Sequence, residues 1–385
     1  MGTDFDAVID RRGTNSLKVD FAKERGKPDG LLPMWVADMD FPAPPEVLED
    51  LKRMISHGIF GYTEVKQAYY DALSNWFITY FQYSFEKREV IKTPGVVFAL
   101  AMAVRAFTKL GASVMIQTPV YYPFYEIIRD NGRKIVENPL VYAGGTYTID
   151  FEDFEHKIKE NAVTIFLLCS PHNPVGRVWT LEELTRIRDI CDQYGVLVFS
   201  DEIHCDFVWE GFHHTCFGTI SPDCIVATAP SKTFNLAGLQ VANIIVKNPK
   251  TRHKLEEEIR KSGYSQLNGV GLAACQSAYT HGRAWLLELK EYIQQNRSLV
   301  ESFLTEHLPK VHLTTLEGTY LIWLDFSAYE LEQKVLDEKI VNGAHLWLDS
   351  GTMFGQGGLG FQRMNIACPR TTLLTALKQL VEGFG

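Results

Sequence analysis

The sequence lacks the features that would place the chain in a membrane, in the secretory pathway or on nucleic acid. No apolar run approaches the ~20 residues of a membrane-spanning helix. The acidic N-terminus has neither the basic start nor the apolar middle of a signal peptide. The net charge is −9, and the sequence has no block of like charges. It therefore has no basic surface of the kind that binds nucleic acid or anionic membranes through charge alone. We therefore expect neither nucleic acid nor a membrane as a partner.

Cysteine is scarce and follows no pattern. The seven cysteines are odd in number and contain no C-x-x-C pair. This usage predicts small buried thiols in a reducing compartment rather than a disulfide framework. With 46% hydrophobic and 22% charged residues, the 385-residue chain has the composition of a globular protein with a large core. The sequence thus predicts a soluble, cytoplasmic globular protein.

The middle of the chain alternates short apolar runs with helical patterns. The runs comprise residues 113–117, 163–169, 196–200, 225–229 and 241–246. Runs that are apolar on both faces are typical of parallel strands covered by helices. Helices are predicted over 97–110 and 180–194, and Thr180 with Glu183 forms a capping box at the start of the second. This alternation predicts a doubly wound α/β layer.

The pattern changes towards both ends of the chain. Long amphipathic helices over 251–262 and 284–307 precede alternating strands over 319–326 and 361–367, and the first 45 residues are irregular and rich in proline. We therefore predict a large α/β domain over residues 46–282. The segments 1–45 and 283–385 are predicted to form a smaller α+β domain.

Two motifs point to chemistry that their surroundings do not support. Residues 355–360 fit G-x-G-x-x-G, but a strand-like run follows where a dinucleotide site needs a helix, so we interpret the segment as a flexible loop. Residues 201–206 contain carboxylate, histidine and cysteine side chains, and further histidines follow at 213 and 214. Their spacing fits no known zinc pattern, and we predict no metal.

Polar residues follow successive predicted strands at their carboxyl ends, where an open α/β sheet binds ligands. They are Tyr121, Asn173, Asp201 with His204, and Ser231 with Lys232. The turn at Gly95-Val96-Val97 opens a helix whose free amides could hold an anion. Alone, each has a structural explanation: an ordinary turn, a core tyrosine or a solvated lysine. Their common place at one sheet edge favours a functional site.

The ordered set of these residues resembles the fold-type I pyridoxal-phosphate enzymes, the aspartate aminotransferase superfamily. The resemblance extends over nearly the whole chain and rests on Asn173-Pro174-x-Gly176, Asp201-x-x-His204, Ser231-Lys232 and Arg363-x-Asn365. The segments 34–41, 200–204 and 231–235 are similar to those of the cystathionine β-lyase and cysteine-S-conjugate β-lyase subgroup. The implied fold is a large three-layer α/β/α domain with a mainly parallel sheet and a smaller α+β domain.

The resemblance also implies a role for each residue. Lys232 is the catalytic residue, which attaches the cofactor pyridoxal 5'-phosphate (PLP) and removes the substrate α-proton. Asp201 pairs with the pyridine nitrogen, Asn173 and His204 with the ring hydroxyl, and Tyr121 stacks on the ring. The phosphate is implied to bind Val96, Val97 and Ser231 of the same chain. It is also implied to bind Tyr62 of a neighbouring subunit, and this implies a homodimer. The substrate is implied to bind Arg363, assisted by Asn173, Ala37 and Tyr121.

Two departures bear on the activity. Many aminotransferases have a serine or threonine three residues before the lysine and an arginine eight residues after it, where this chain has Ala229 and Gln240. The missing arginine favours a carbon–sulfur lyase that converts a cysteine S-conjugate such as L-cystathionine to pyruvate, ammonia and a thiol. A PLP-dependent aminotransferase is the first alternative. A regulatory protein that retains PLP and acts through a partner surface is the second, from another class.

Overall fold

The computed structural model describes residues 3–385 of the chain. The α-helices are α1 (Pro45–Ser56), α2 (Gln67–Phe81), α3 (Val96–Phe107), α4 (Pro123–Asp130), α5 (Phe151–Glu160), α6 (Leu181–Tyr194), α7 (Pro230–Thr233), α8 (Pro249–Lys261), α9 (Gly269–His281), α10 (Arg283–His307), α11 (Gln333–Glu338) and α12 (Arg370–Phe384). Among these residues, no helix combines the length and the apolar character needed to cross a bilayer.

The strands form one large sheet, one smaller sheet and two short pairs. They are β1 (Leu32–Pro33), β2 (Val90–Thr93), β3 (Ser113–Thr118), β4 (Lys134–Pro139), β5 (Val141–Ala143), β6 (Thr146–Thr148), β7 (Ile165–Cys169), β8 (Leu197–Asp201), β9 (Ile225–Thr228), β10 (Ala242–Ile245), β11 (His312–Leu313), β12 (Leu321–Asp325), β13 (Leu346–Trp347), β14 (Asp349–Ser350) and β15 (Phe361–Asn365).

The large sheet has the order β2-β10-β9-β8-β7-β3-β4. Its strands are buried on both faces: Phe166 and Leu168 of β7 belong to one apolar cluster, while Ile165 and Leu167 belong to a second on the opposite side. Helices α3, α4 and α8 contribute to the second cluster, and α5 and α6 contribute to the first. This is the predicted three-layer α/β/α arrangement with a mainly parallel sheet.

One strand departs from the parallel pattern. Strand β10 runs antiparallel to both β9 and β2. The apolar run at 241–246 does not reveal this direction, because a buried strand has the same composition either way. The segment between α7 and β10 is too short for a helical crossover, so the chain returns along the neighbouring strand in the opposite direction.

The smaller sheet is antiparallel, with the order β11-β12-β15-β14, and the adjoining helices α10 and α12 pack against each other. Strand β1, from the irregular N-terminal segment, pairs with β13. The boundaries predicted after residues 45 and 282 stay a prediction. The glycine-rich segment 355–360, which we interpreted as a flexible loop, contains a 3₁₀ turn over Gln356–Gly358 and leads directly into β15.

Candidate active site

One cavity of about 260 Å³ lies at the carboxyl ends of β3, β7, β8 and β9. Its walls contain nine of the residues that the sequence singled out: Ala37, Val96, Val97, Tyr121, Asn173, Asp201, His204, Ser231 and Lys232. They come together because parallel strands end at the same edge of the sheet, so residues far apart in sequence meet there. Arg363 and Tyr62 lie outside these walls.

Lys232 lies in the single helical turn of α7, directly after β9. Its Nζ donates a hydrogen bond of 2.7 Å to the backbone oxygen of Ala37. Burial lowers the pKa of Lys232 to about 8. The charge of Asp38 opposes this shift, and the charge of Arg363 adds to it. About a tenth of this amine is therefore unprotonated at pH 7, far more than for an ordinary lysine, and a base or nucleophile requires the unprotonated form.

Asp201 is the last residue of β8 and is buried. Within residues 3–385 its carboxylate accepts one hydrogen bond, of 3.1 Å from the backbone N–H of Ile203, and forms no salt bridge. Burial raises the pKa of Asp201 to about 7, although the backbone hydrogen bond and the charge of Lys232 lower it. A carboxylate in this position favours a ligand that brings a hydrogen-bond donor or a positive charge.

His204 lines the same cavity and carries a buried ring nitrogen, Nδ1, that lacks a hydrogen-bond partner among the described residues. Burial, followed by the charges of Lys232 and Arg363, holds the pKa of His204 well below its usual value. The ring is therefore neutral and offers one donor and one acceptor to a ligand.

The start of α3 forms another wall of the cavity. This helix begins at Val96 and has no side-chain cap, and the preceding Gly95 has φ of +152°, which favours glycine. Uncapped helical amides attract anions through their free N–H groups and the helix dipole. Ser231 and Gln240 line the same cavity and provide further polar groups.

Arg363 is buried on β15, beside the cavity wall rather than in it. Its Nη1 donates a hydrogen bond of 3.0 Å to Oδ1 of Asn173, and its Nη2 donates one of 2.9 Å to the backbone oxygen of Trp35. Nη2 also pairs with the carboxylate of Asp349, which our sequence analysis missed. No local signal marks Asp349, because its contact depends on the pairing of two distant strands.

The segment that carries Ala37 is held in place from three sides. The side chain of Asn235 bonds both the N–H and the oxygen of Met39, and Asn365 donates to the backbone oxygens of Val36 and Asp38. Two carboxylates of the segment, Asp38 and Asp40, form salt bridges with two cations of the N-terminal region, Arg11 and Lys18.

These contacts fix the backbone oxygen of Ala37, which accepts the hydrogen bond of Lys232. Tyr320 donates a hydrogen bond of 3.1 Å to the same oxygen.

Tyr62 does not reach the cavity. It lies in the irregular segment before α2, and its side chain is 97% exposed. Ile59 and Phe60 of the same segment are 77% and 67% exposed. The predicted contact of Tyr62 with a neighbouring subunit stays a prediction.

The fold and the arrangement at the sheet edge define a class of protein, the fold-type I PLP enzymes, as the sequence predicted. The chain belongs to the aminotransferase class I and II family, whose sequence model matches residues 31–380. It is 43% identical over 380 residues, covering 98% of both chains, to a protein named cystathionine beta-lyase PatB of Bacillus subtilis.

Three solved structures share the fold over almost the whole chain. A PLP-bound putative aminotransferase from Clostridium difficile is 36% identical, with a TM-score of 0.97 and full coverage of both chains. PLP-containing cystalysin from Treponema denticola is 38% identical, with a TM-score of 0.96 and coverage of 100% and 99%. A PLP-bound C-S lyase from Staphylococcus hominis is 32% identical, with a TM-score of 0.93 and coverage of 100% and 98%.

Proposed function

We propose that this chain is a PLP-dependent carbon–sulfur β-lyase, which converts L-cystathionine or another cysteine S-conjugate and water to pyruvate, ammonia and a thiol. The observation that carries the proposal is the 43% identity, over 98% of both chains, to a protein named cystathionine beta-lyase. Its support in the structure is a cavity in which Lys232 and Asp201 both face the same space.

The residues of the cavity fit PLP on their own chemistry. Asp201 is a buried carboxylate without a salt-bridge partner among the described residues, and His204 has a buried Nδ1 without a hydrogen-bond partner among them. We infer that Asp201 holds the pyridine nitrogen and that Asn173 and His204 hold the ring hydroxyl. The phosphate-binding groups are inferred to be Val96, Val97 and Ser231, and the group that stacks on the ring is inferred to be Tyr121. When bound, PLP supplies an aldehyde that attaches to amines and a ring that stores the electron pair left at the substrate α-carbon.

Lys232 is proposed to act as the general base. Its unprotonated amine can remove the proton from the substrate α-carbon, because burial lowers its pKa to about 8. The resulting ammonium then has a proton to give to the departing sulfur. Asp201 favours a proton at the pyridine nitrogen, and Arg363 with Asn173 orients the substrate carboxylate.

An aminotransferase is the second candidate, because the Clostridium difficile structure carries that description. The two reactions differ in the fate of the substrate's β-carbon. A lyase releases the sulfur from it and needs no second substrate, whereas an aminotransferase leaves the carbon–sulfur bond intact and needs a keto acid as acceptor. No observation favours the alternative of a purely regulatory protein.

We therefore expect the holoenzyme to form pyruvate from L-cystathionine with no keto acid added. Pyruvate would be measured through coupled oxidation of NADH by lactate dehydrogenase, across cystathionine, cystine and S-alkyl-cysteines. L-alanine, which has no leaving group on its β-carbon, is the matched control and should give no signal. Turnover that strictly requires an added keto acid would contradict the lyase and support the aminotransferase.

We also propose a homodimer in which Tyr62 reaches the phosphate site of the partner. Its support is the run of exposed apolar side chains at Ile59, Phe60 and Tyr62, which is unusual on a free surface. Sedimentation equilibrium should give twice the 43.7 kDa mass of the chain. A monomer with full activity would contradict this arrangement.

A cytoplasmic location stays a prediction. Its support is that the cysteines of residues 3–385 are all buried and form no disulfide.

A further inference from the structure

Arg363 already has a counter-ion built into the fold. Strands β14 and β15 pair antiparallel, with Asp349 directly opposite Arg363. Both side chains are only 3% exposed, and the carboxylate of Asp349 accepts a hydrogen bond from Nη2 of Arg363. An arginine that serves only to attract a substrate carboxylate has no need of a buried carboxylate beside it.

The other contacts of Arg363 leave it little freedom. Nη1 bonds Asn173, Nη2 bonds both Trp35 and Asp349, and the ring of Phe354 lies 4.8 Å from the guanidinium carbon. Both Nη2 hydrogens are therefore in use. Nε is buried and has no partner among the described residues. A carboxylate can bind a guanidinium with both oxygens at the Nη1–Nη2 edge or at the Nε–Nη2 edge. Both edges include Nη2, so an incoming carboxylate competes with Asp349 for this nitrogen.

The net charge of Arg363 together with Asp349 also weakens the attraction for a carboxylate. A buried arginine next to an ionised aspartate has no net charge, so it attracts an anion less strongly than a lone arginine does. Burial raises the pKa of Asp349, whereas the charge and hydrogen bond of Arg363, followed by the charges of Lys27 and Arg25, oppose this rise and favour the ionised form. Arg363 is therefore oriented for a carboxylate while its charge is largely compensated.

We propose that Asp349 is a specificity-determining residue. It lowers the affinity of Arg363 for carboxylates, so that a ligand that offers only a carboxylate binds poorly. This inference rests on the proposed function for its consequence. An amino-acid substrate gains further affinity through its amine and side chain, whereas pyruvate has mainly its carboxylate to offer. Asp349 would thus favour substrate over product and speed the release of pyruvate.

The test is the affinity of the holoenzyme for propionate, an unreactive carboxylate, measured by isothermal titration calorimetry. Asp349→Asn keeps the size of the side chain and one oxygen that can accept from Nη2, but it removes the negative charge. We expect propionate to bind about tenfold more tightly to this variant, because one compensating charge is lost. Loss of propionate binding in Arg363→Gln would locate the probe at this arginine.

Asp337→Asn is the matched control. Asp337 is half-buried, whereas Asp349 is buried, and it accepts hydrogen bonds of 2.9 Å from Gln333, 2.9 Å from Ser350 and 2.6 Å from Gln362 but none from Arg363. Its replacement should leave the affinity for propionate within about twofold. Asp349→Ser provides a second neutral residue in case the asparagine variant does not fold.

A purely structural role for Asp349 predicts the opposite sign. If Asp349 only holds Arg363 in position, both neutral variants should bind propionate more weakly than the unmodified protein does. Weaker or unchanged binding in correctly folded variants would overturn the proposal. Propionate binding does not depend on carbon–sulfur cleavage, so a negative pyruvate assay beside tighter propionate binding would reject only the proposed function.

Discussion

Replacement of Lys232 by alanine should abolish pyruvate formation. The variant loses both the amine proposed to attach the cofactor and the proposed base for the α-proton, and positioned general bases alone contribute about 10² to 10⁴ in rate. We expect turnover to fall by at least about 10³-fold. Pyruvate release is the first measurement. Borohydride trapping followed by mass spectrometry of the peptide that carries Lys232 is the second, and the label should be absent from the variant.

Two further variants separate chemistry from stability. Lys232→Arg keeps the positive charge but stays protonated, so it should be as inactive as the alanine variant. Lys250→Ala, at an exposed position, should keep full activity. Added methylamine should restore part of the turnover of Lys232→Ala, because a small amine can enter the cavity that the shorter side chain leaves. Retained activity in Lys232→Ala would contradict the assignment of the base.

The pH profile gives an independent check on the same residue. An amine works as a base only when it is unprotonated, and burial places the pKa of Lys232 at about 8. The rate of α-proton removal should therefore rise with pH up to about 8 and level off above it. A measurement of pyruvate formation from pH 6 to 10 tests this sign, and the absence of a rise towards pH 8 would indicate a different base.

The sequence placed several members of the cavity at one sheet edge because they follow apolar runs that are recognisable locally, whereas Ala37 was implied only by the family resemblance. Asn173, Asp201 and Lys232 stand at the ends of such runs, and parallel strands bring their ends together. The capping box of Thr180 and Glu183 was equally local, and the structure confirms both of its hydrogen bonds. These features depend on neighbours in the sequence and on one general rule of α/β folds.

Features that depend on long-range pairing could not be found in this way. Asp349 meets Arg363 only because β14 and β15 adopt one particular register. Lys18, which is 1% exposed, lies in an irregular region without periodicity, and its burial follows from carboxylates 20 and 22 residues later in the chain. The antiparallel direction of β10 is likewise set by a short connection rather than by its own residues.

Replacement of Asp201 by asparagine should have opposite effects with and without the cofactor. In the holoenzyme, the neutral amide no longer favours a proton on the pyridine nitrogen, so turnover should fall by about 10²-fold or more. An unchanged rate would show that another group protonates the ring. Cofactor affinity should fall as well, which can be followed by dialysis and the residual PLP absorbance.

In the cofactor-free protein the same change should stabilise the fold at alkaline pH. Burial raises the pKa of Asp201 from 3.8 to about 7, so the folded chain holds more protons than the unfolded chain in that window. The aspartate therefore lowers the free energy of unfolding as pH rises from about 4 to 7, and asparagine removes this loss. Urea unfolding should show Asp201→Asn more stable than the unmodified protein at pH 8 and similar to it near pH 4. Asp206→Asn is the contrasting variant. Burial raises the pKa of Asp206 as well, but its carboxylate also accepts hydrogen bonds from Trp76 and Thr233, so its replacement should destabilise the fold. Equal losses of stability in the two variants at pH 8 would show that Asp201 serves the fold rather than a ligand.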